Sequence, residues 1–444
     1  MDNFIPHTII IFVSLFVVIP IAVSLLKSYP KLQEYGIFAA LFLLIASQSL
    51  GLNYMADHEY VRGTTQAYEI TLFDFFAITY YVVMAGKPDY KVKIFPPGTV
   101  FFVMFLIMEC LSCVNSPNIT YSLYEIFRLV KMGFFFMVLY NILLCYNCYA
   151  LFVNGLAAGI IMNMAVVLYQ KYVEGYYAVV GLMRHKNNAG LYMNVLMPVY
   201  LYISLNFNFA QKWKKYFYIF VFLCCTMAVV VTISRGAWAV SALVICATIA
   251  VSLYRESTPQ KILTIAATAL VLVIGIIKSY DTIYERVTVG NESGTSGRES
   301  LIYNATDMAD RNFFGVGINN YTEANTLENN YGHIFESLDP VDEDRNIGKV
   351  ETVYLLTAAE CGWMGLAALI LWYFYYLLQA ILCSIYFWKS NMFYLPASIS
   401  IGLGGAYLHS SLEWSLRYSQ TFYLLMVMFS IVAALVTMKN QKRA

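Results

Sequence analysis

Long apolar stretches alternate with short polar connections along this chain. The apolar runs are about 17 to 25 residues long, the length an α-helix needs to cross ~30 Å of hydrocarbon. They fall near 8–26, 35–52, 68–85, 98–114, 122–145, 149–169, 188–206, 216–232, 236–253, 262–278, 353–386, 392–411 and 418–437. The pattern predicts an all-α, polytopic membrane protein with about 12–14 transmembrane helices, thirteen by this reading. The first run, Ile9 to Leu26, is too long for a signal-peptide core and lacks a small-residue cleavage site, so it is expected to be retained. Residues 279–350 break the rhythm as the one large hydrophilic connection, and a loop of that length is usually functional or disordered. Within it "SLIYNATDMADRNFF" predicts a short amphipathic helix with Leu301, Ala305, Met308 and Phe313 on one face. "GVGINN" then reads as a glycine-rich turn. The expected organisation is one integral membrane domain: an N-terminal bundle over 1–278, the large loop with its short helices over 279–350, and C-terminal helices over 351–444.

Composition agrees with this pattern, with 60% hydrophobic and 12% charged residues. A net charge of +1 gives no reason to expect nucleic acid, so only the placement of charge is informative. Lys and Arg, counted in alternate connections, number fourteen on one side and six in the short connections of the other. The richer side should be cytoplasmic, which puts residues 279–350 outside. That loop carries thirteen acidic against five basic residues, a net of minus eight. Its "DED" at 342–344 has a D-x-D spacing but reads as a solvated acidic run. The nine cysteines sit mostly inside apolar runs and form no disulfide framework. Cys110/Cys113 and Cys145/Cys148 fall on opposite membrane sides, which argues against a shared metal site, and no metal or other cofactor is expected.

The informative charges are bases on the wrong side. Arg184 and Lys186 precede a helix that enters from outside, in "GLMRHKNNAGLY", and Arg235 sits at a tight outer turn in "TISRGAWA". Arg128 and Lys131 lie roughly 9 and 13 Å down a helix that starts outside. A lone cation at such depth costs ~2.5–3.5 kcal/mol on insertion scales, so each calls for an internal partner. Arg128 has one at i,i+3 in Glu125, and Lys131 and Arg184 could instead snorkel to headgroups. With Arg298 these bases offer a site for a compact, multiply charged anion, and a guanidinium fork suits phosphate oxygens. His185, Asn187 and His333 are polar candidates for contact with an acceptor. Asp74 and Glu109 are intramembrane carboxylates that need partners, and Glu413 with Arg417 reads as an outer-rim pair.

Several of these stretches resemble the bacterial O-antigen ligase and O-antigen polymerase superfamily. "TISRGAWA" is similar to its T-x-S-R-G turn, and "GRESLIYNATDMADRNFFGVGINNY" to its S-x-R-x-x-x-W then D-x-P-x-x-G-x-G stretch. "GLMRHKNNAGLYMNVLMP" and "ETVYLLTAAECGWMG" resemble two further blocks, in the family's order, over residues 175–370. The resemblance implies an inner-membrane glycosyltransferase with a periplasmic site and an undecaprenyl-diphosphate-linked glycan as donor. The acceptor would be lipid A core in a ligase or another carrier-linked glycan in a polymerase. Membrane lipid and chain-length regulator proteins would be its other partners. By position, Arg235 and Arg298 would be the family's two functional arginines, and Lys131 or Arg128 its early basic residue. Where the family has a histidine this chain has Glu351, followed by Thr352 rather than Asn, a departure that favours a polymerase over a ligase.

The expected chemistry is inverting transfer, with Glu351 as general base and Arg235 and Arg298 stabilising the departing diphosphate without a metal. Arg184, Lys131 and Arg128 would complete the diphosphate site. A polysaccharide transporter or flippase shares the span count, but such proteins favour internal repeats and midplane polar sites, whereas here no repeat is visible and the bases cluster toward one face. A partner-binding membrane protein would use the acidic loop for docking, yet would not need arginines at outer helix ends.

Overall fold

The computed structural model describes residues 4–56, 64–207, 210–278, 295–337 and 348–441. The chain is an all-α polytopic membrane protein. Among the described residues seven helices are long and apolar enough to cross a membrane: Ile5–Ser28, Ile119–Tyr146, Tyr149–Tyr172, Lys212–Val231, Arg235–Arg255, Val353–Tyr386 and Ser419–Gln441. Helix covers all thirteen expected stretches in whole or part. In chain order the α-helices are α1 Phe4–Val13, α2 Ile19–Ser28, α3 Pro30–Leu43, α4 Leu72–Ala85, α5 Thr99–Ser112, α6 Ile119–Tyr146, α7 Tyr149–Tyr172 and α8 Lys186–Asn206. They continue with α9 Lys212–Val231, α10 Arg235–Arg255, α11 Pro259–Lys278, α12 Thr295–Arg311, α13 Val353–Tyr386, α14 Tyr394–His409 and α15 Ser419–Gln441.

The expected span at 35–52 is corrected. Helix α3 stops at Leu43, a single 3-10 turn follows to Ala46, and Gly51–Tyr54 forms a strand, β1. It pairs antiparallel with β2, Tyr68–Thr71, with Gly51 opposite Thr71 and Tyr54 opposite Tyr68. The third span consequently begins at Leu72, where Thr71 and Asp74 exchange side-chain and backbone bonds in a capping box.

The chain packs as two compact units. The first holds residues 1–156, 299–376 and 417–444, and the second 157–298 and 377–416. Each is built around one helix buried on every side, as expected of a helix apolar all round. In the first unit that helix is α15, buried from Ser419 to Val436 and packed along α6. In the second it is α8, buried from Asn187 to Leu205 and surrounded by α9, α10 and α14. Small residues allow the close approach: a Cβ on Gly402 of α14 would stand 2.4 Å from the Val195 carbonyl oxygen of α8.

The large hydrophilic connection contributes more than a surface helix. Helix α12 ends at Arg311 with Ala305, Met308 and Ala309 buried, whereas Phe313 lies past its end and is exposed, against expectation. The glycine-rich turn that follows is clamped onto α13, which is broken at Gly362, with φ 72° and ψ 173°. The break releases two carbonyls, and the loop satisfies them: Val316 N–H donates to Ala359 O at 2.9 Å and Gly317 N–H to Glu360 O at 3.0 Å. Only glycine suits φ of +74° at Gly315 and +72° at Gly362, where a Cβ would meet the Glu360 carbonyl carbon at 2.3 Å and the Phe313 oxygen at 2.0 Å. Two asparagines hold the other side of the turn. The Asn319 side chain accepts from Thr64 N–H and donates to the Thr65 and Tyr121 carbonyls, and Asn320 donates to Asn118 O and Ser122 Oγ.

Candidate functional site

Each unit carries a charged constellation, and the two differ in kind. In the first unit the charges are internal. Arg128 and Glu125 on α6 pair at i,i+3, both within 2% of full burial, so the local pairing open to Arg128 is the one observed. Arg417 completes a chain of charge: its Nη1 lies 3.2 Å from Glu125 Oε1 and its Nη2 2.6 Å from Glu360 Oε2 on α13. Arg128 also donates to the Arg417 carbonyl, and the Thr65 hydroxyl to Glu125. Arg417, expected on the outer rim with Glu413, is thus buried between two carboxylates brought from 292 and 57 residues away. Lys131 is likewise committed, with its Nζ 3.1 Å from Asp74 Oδ2 and a further bond to Glu69 O. Asp74 therefore has the intramembrane partner it needed, while Glu109 is buried with one carboxylate oxygen unbonded among the described residues.

Beside this network runs the segment that opens α13. Thr352 caps the helix, accepting from Tyr354 N–H at 3.3 Å, so Glu351 lies one residue outside the cap, half-buried. Lys349 lies just before it. Burial pushes its amine down to about 8; Glu360 and Glu125 draw it upward and Arg417 pushes it further down. Between pH 8 and the ordinary 10.5 the unfolded chain holds a proton that the folded chain has lost, so stability rises with pH across that window. The thermal midpoint of the wild-type protein should climb from pH 8 to pH 10 by more than that of Lys349→Met, and parallel profiles would reject the shifted amine. His333, also in this unit, is exposed in a left-handed backbone conformation with φ 54°.

In the second unit the charges face outward. Ser234 caps α10, its Oγ accepting from Ala237 N–H at 3.3 Å, which leaves Arg235 exposed as the first residue of the helix. His185 caps α8 in the same manner: its Nδ1 accepts from Asn187 N–H at 3.4 Å, and burial together with Lys186 lowers the imidazole below its ordinary value. Arg184 stands exposed just before that cap, and Asn187 is buried behind it. The two helix starts are side by side. A Cβ on Gly190 would fall 2.4 Å from the Ala237 Cβ, and Asn194 Nδ2 donates to Ala237 O at 3.0 Å. Two positive helix ends and two exposed guanidinium groups thus share one edge, an arrangement suited to an anion. Arg298 is exposed near the start of α12.

Of the residues singled out in the sequence, the structure brings Arg184, His185 and Asn187 together with Arg235. Arg128 and Lys131 it gives to internal carboxylates of the first unit. Arg417, Glu360 and Lys349 were not recognised as one network, because nothing local marks contacts between such distant residues. The "DED" at 342–344 lies outside the described residues.

No curated protein matches the chain. Residues 220–370, which include Arg235, Arg298, Glu351 and Glu360, match the family model described as O-antigen ligase. With the ordered sequence blocks that flank and fill this region, the match over these residues supports a relation to the O-antigen ligase/polymerase superfamily.

Proposed function

We propose that the chain moves a glycan from an undecaprenyl diphosphate carrier to an acceptor sugar hydroxyl at the periplasmic face of the inner membrane. The observation that carries the reading is the paired start of α8 and α10, with Arg184 and Arg235 exposed on it. The diphosphate is the part of the donor that such an edge recognises, and its charge rises as the glycosidic bond to the carrier breaks. Arg235 and Arg184 hold the phosphate oxygens, and Arg298 contributes to neutralising the leaving group. Glu351 takes the proton of the acceptor hydroxyl; that oxygen attacks the anomeric carbon, and the carrier diphosphate leaves with the bonding electrons. One displacement inverts the configuration, and the arginines take the place a metal would otherwise fill. Arg128 and Lys131 act at one remove, fixing α6 through Glu125 and Asp74. His185, Asn187 and His333 are the candidates for acceptor contact.

Within this reading a polymerase is favoured over a ligase to lipid A core, because Glu351 replaces the family's histidine. Glycan display in cells lacking the gene, complemented with wild type, Arg235→Ala or Arg298→Ala, separates the two. A polymerase leaves single repeats on the lipid core until wild type restores long chains; a ligase defect leaves long carrier-linked chains and bare core. Normal glycans with every variant would refute glycosyl transfer.

A further inference from the structure

A histidine outside every role assigned so far lies behind the edge shared by α8 and α10. His409 ends α14, in the second unit, and is 0% exposed. Neither of its ring nitrogens has a hydrogen-bond partner among the described residues. Leaving one buried polar group unsatisfied costs about 1–3 kcal/mol, so an imidazole with both nitrogens unbonded calls for an explanation. The ring is seated against two glycines. Its Cε1 lies 3.7 Å from where a Cβ on Gly190 would stand, and its Nε2 lies 4.0 Å from the Cβ position of Gly236. Gly236 directly follows Arg235, so Nε2 is aimed at the first turn of α10, and the missing side chain keeps that approach open. The other nearest group to this position is Leu412 Cδ1, at 3.3 Å, which leaves the imidazole as the polar side chain there.

We propose that His409 donates a hydrogen bond from Nε2 to a phosphate oxygen held where α8 and α10 begin. The inference rests on the anion site of the preceding section and adds to it a neutral donor from beneath the arginines. A helix N-terminus supplies N–H groups from one direction and the guanidinium groups reach in from the surface. An imidazole N–H from the interior engages a third direction, as a tetrahedral phosphate requires. The ligand class is a phosphate or diphosphate ester, whether of the glycan carrier or of a phospholipid headgroup.

The test is binding of undecaprenyl diphosphate and, separately, of phosphatidylglycerol to the purified full-length protein in a phosphate-free detergent. His409→Phe, which keeps the ring and loses the donor, should weaken undecaprenyl diphosphate at least tenfold, and His409→Gln, which retains an N–H, should stay within about threefold of wild type. Gly236→Ala, which places a methyl between the ring and the helix start, should weaken binding as His409→Phe does while leaving the thermal midpoint in place. If His409→Phe and Gly236→Ala bind like wild type while Arg235→Ala does not, His409 has no such role and the arginine site stands. If wild type does not bind, or Arg235→Ala binds unchanged, both readings fall. Equal binding of phosphatidylglycerol with the same dependence on His409 would keep the phosphate contact and assign it to a headgroup.

Discussion

A Glu351→Gln protein is expected to fold as wild type and to transfer glycan about 10²–10⁴-fold more slowly, the range that general acid–base catalysis supplies. The amide preserves the size of the side chain and leaves the Thr352 cap of α13 in place, so helix and loop should keep their positions. What it removes is the capacity to accept a proton. Turnover should therefore fall while the KM for the lipid-linked donor stays nearly constant, since donor binding is assigned to Arg184 and Arg235. A carboxylate needed only for packing or charge balance would show the reverse pattern, with a lowered thermal midpoint and near-normal turnover. Transfer assayed with a labelled carrier-linked glycan in purified protein distinguishes the two, and full activity would remove Glu351 from the mechanism.

Arg417→Met should be the most destabilising single change in the first unit, by about 3–5 kcal/mol, the usual cost of removing one partner from a buried ion pair. Its guanidinium lies 2.6 Å from Glu360 and 3.2 Å from Glu125, and with methionine in its place both carboxylates remain buried with less opposing charge. Arg128 would still face Glu125, so the greater exposure to loss is at Glu360. Adding Glu360→Gln to Arg417→Met should recover part of the stability by removing the stranded charge. The thermal midpoint and the monodisperse fraction in detergent are the readouts. A single variant as stable as wild type would show that the network contributes little to folding.

These two residues also mark how far the sequence could be read. The apolar runs locate the helices because hydrocarbon admits no other backbone form at that length. They misplace ends where tertiary pairing intervenes, as at Gly51–Tyr54, whose strand partner lies at Tyr68–Thr71 beyond a polar stretch. The Arg128–Glu125 pair is visible because three residues separate its members on one helix. Arg417 has no such neighbour, and its carboxylates come from two other helices, so only the assembled unit identifies it. His409 was passed over within an apolar run, although a histidine there is unusual enough to invite a functional question. Arg184 and Arg235 were grouped by their shared membrane side, and the second unit supplies the stronger reason that α8 and α10 begin together.

The loop bound to the broken helix sets where the chain tolerates a change of length. Gly315, Val316 and Gly317 are held in register by Ala359, Glu360 and Ser116, and a Cβ on Gly317 would meet Ser116 Oγ at 2.1 Å. One residue inserted or deleted between Phe313 and Asn320 would therefore shift every contact at once and leave two helix carbonyls without donors. Added residues between Leu327 and Asn330, beyond the last of these anchors, would disturb only local bonds such as Asn330 N–H to Thr326 O and Arg311 to Asn329 O, besides closing a longer loop, and doubling a loop costs only about 0.6 kcal/mol. Length variation among related chains should accordingly gather on the far side of Asn320 and leave the glycine pair at constant spacing.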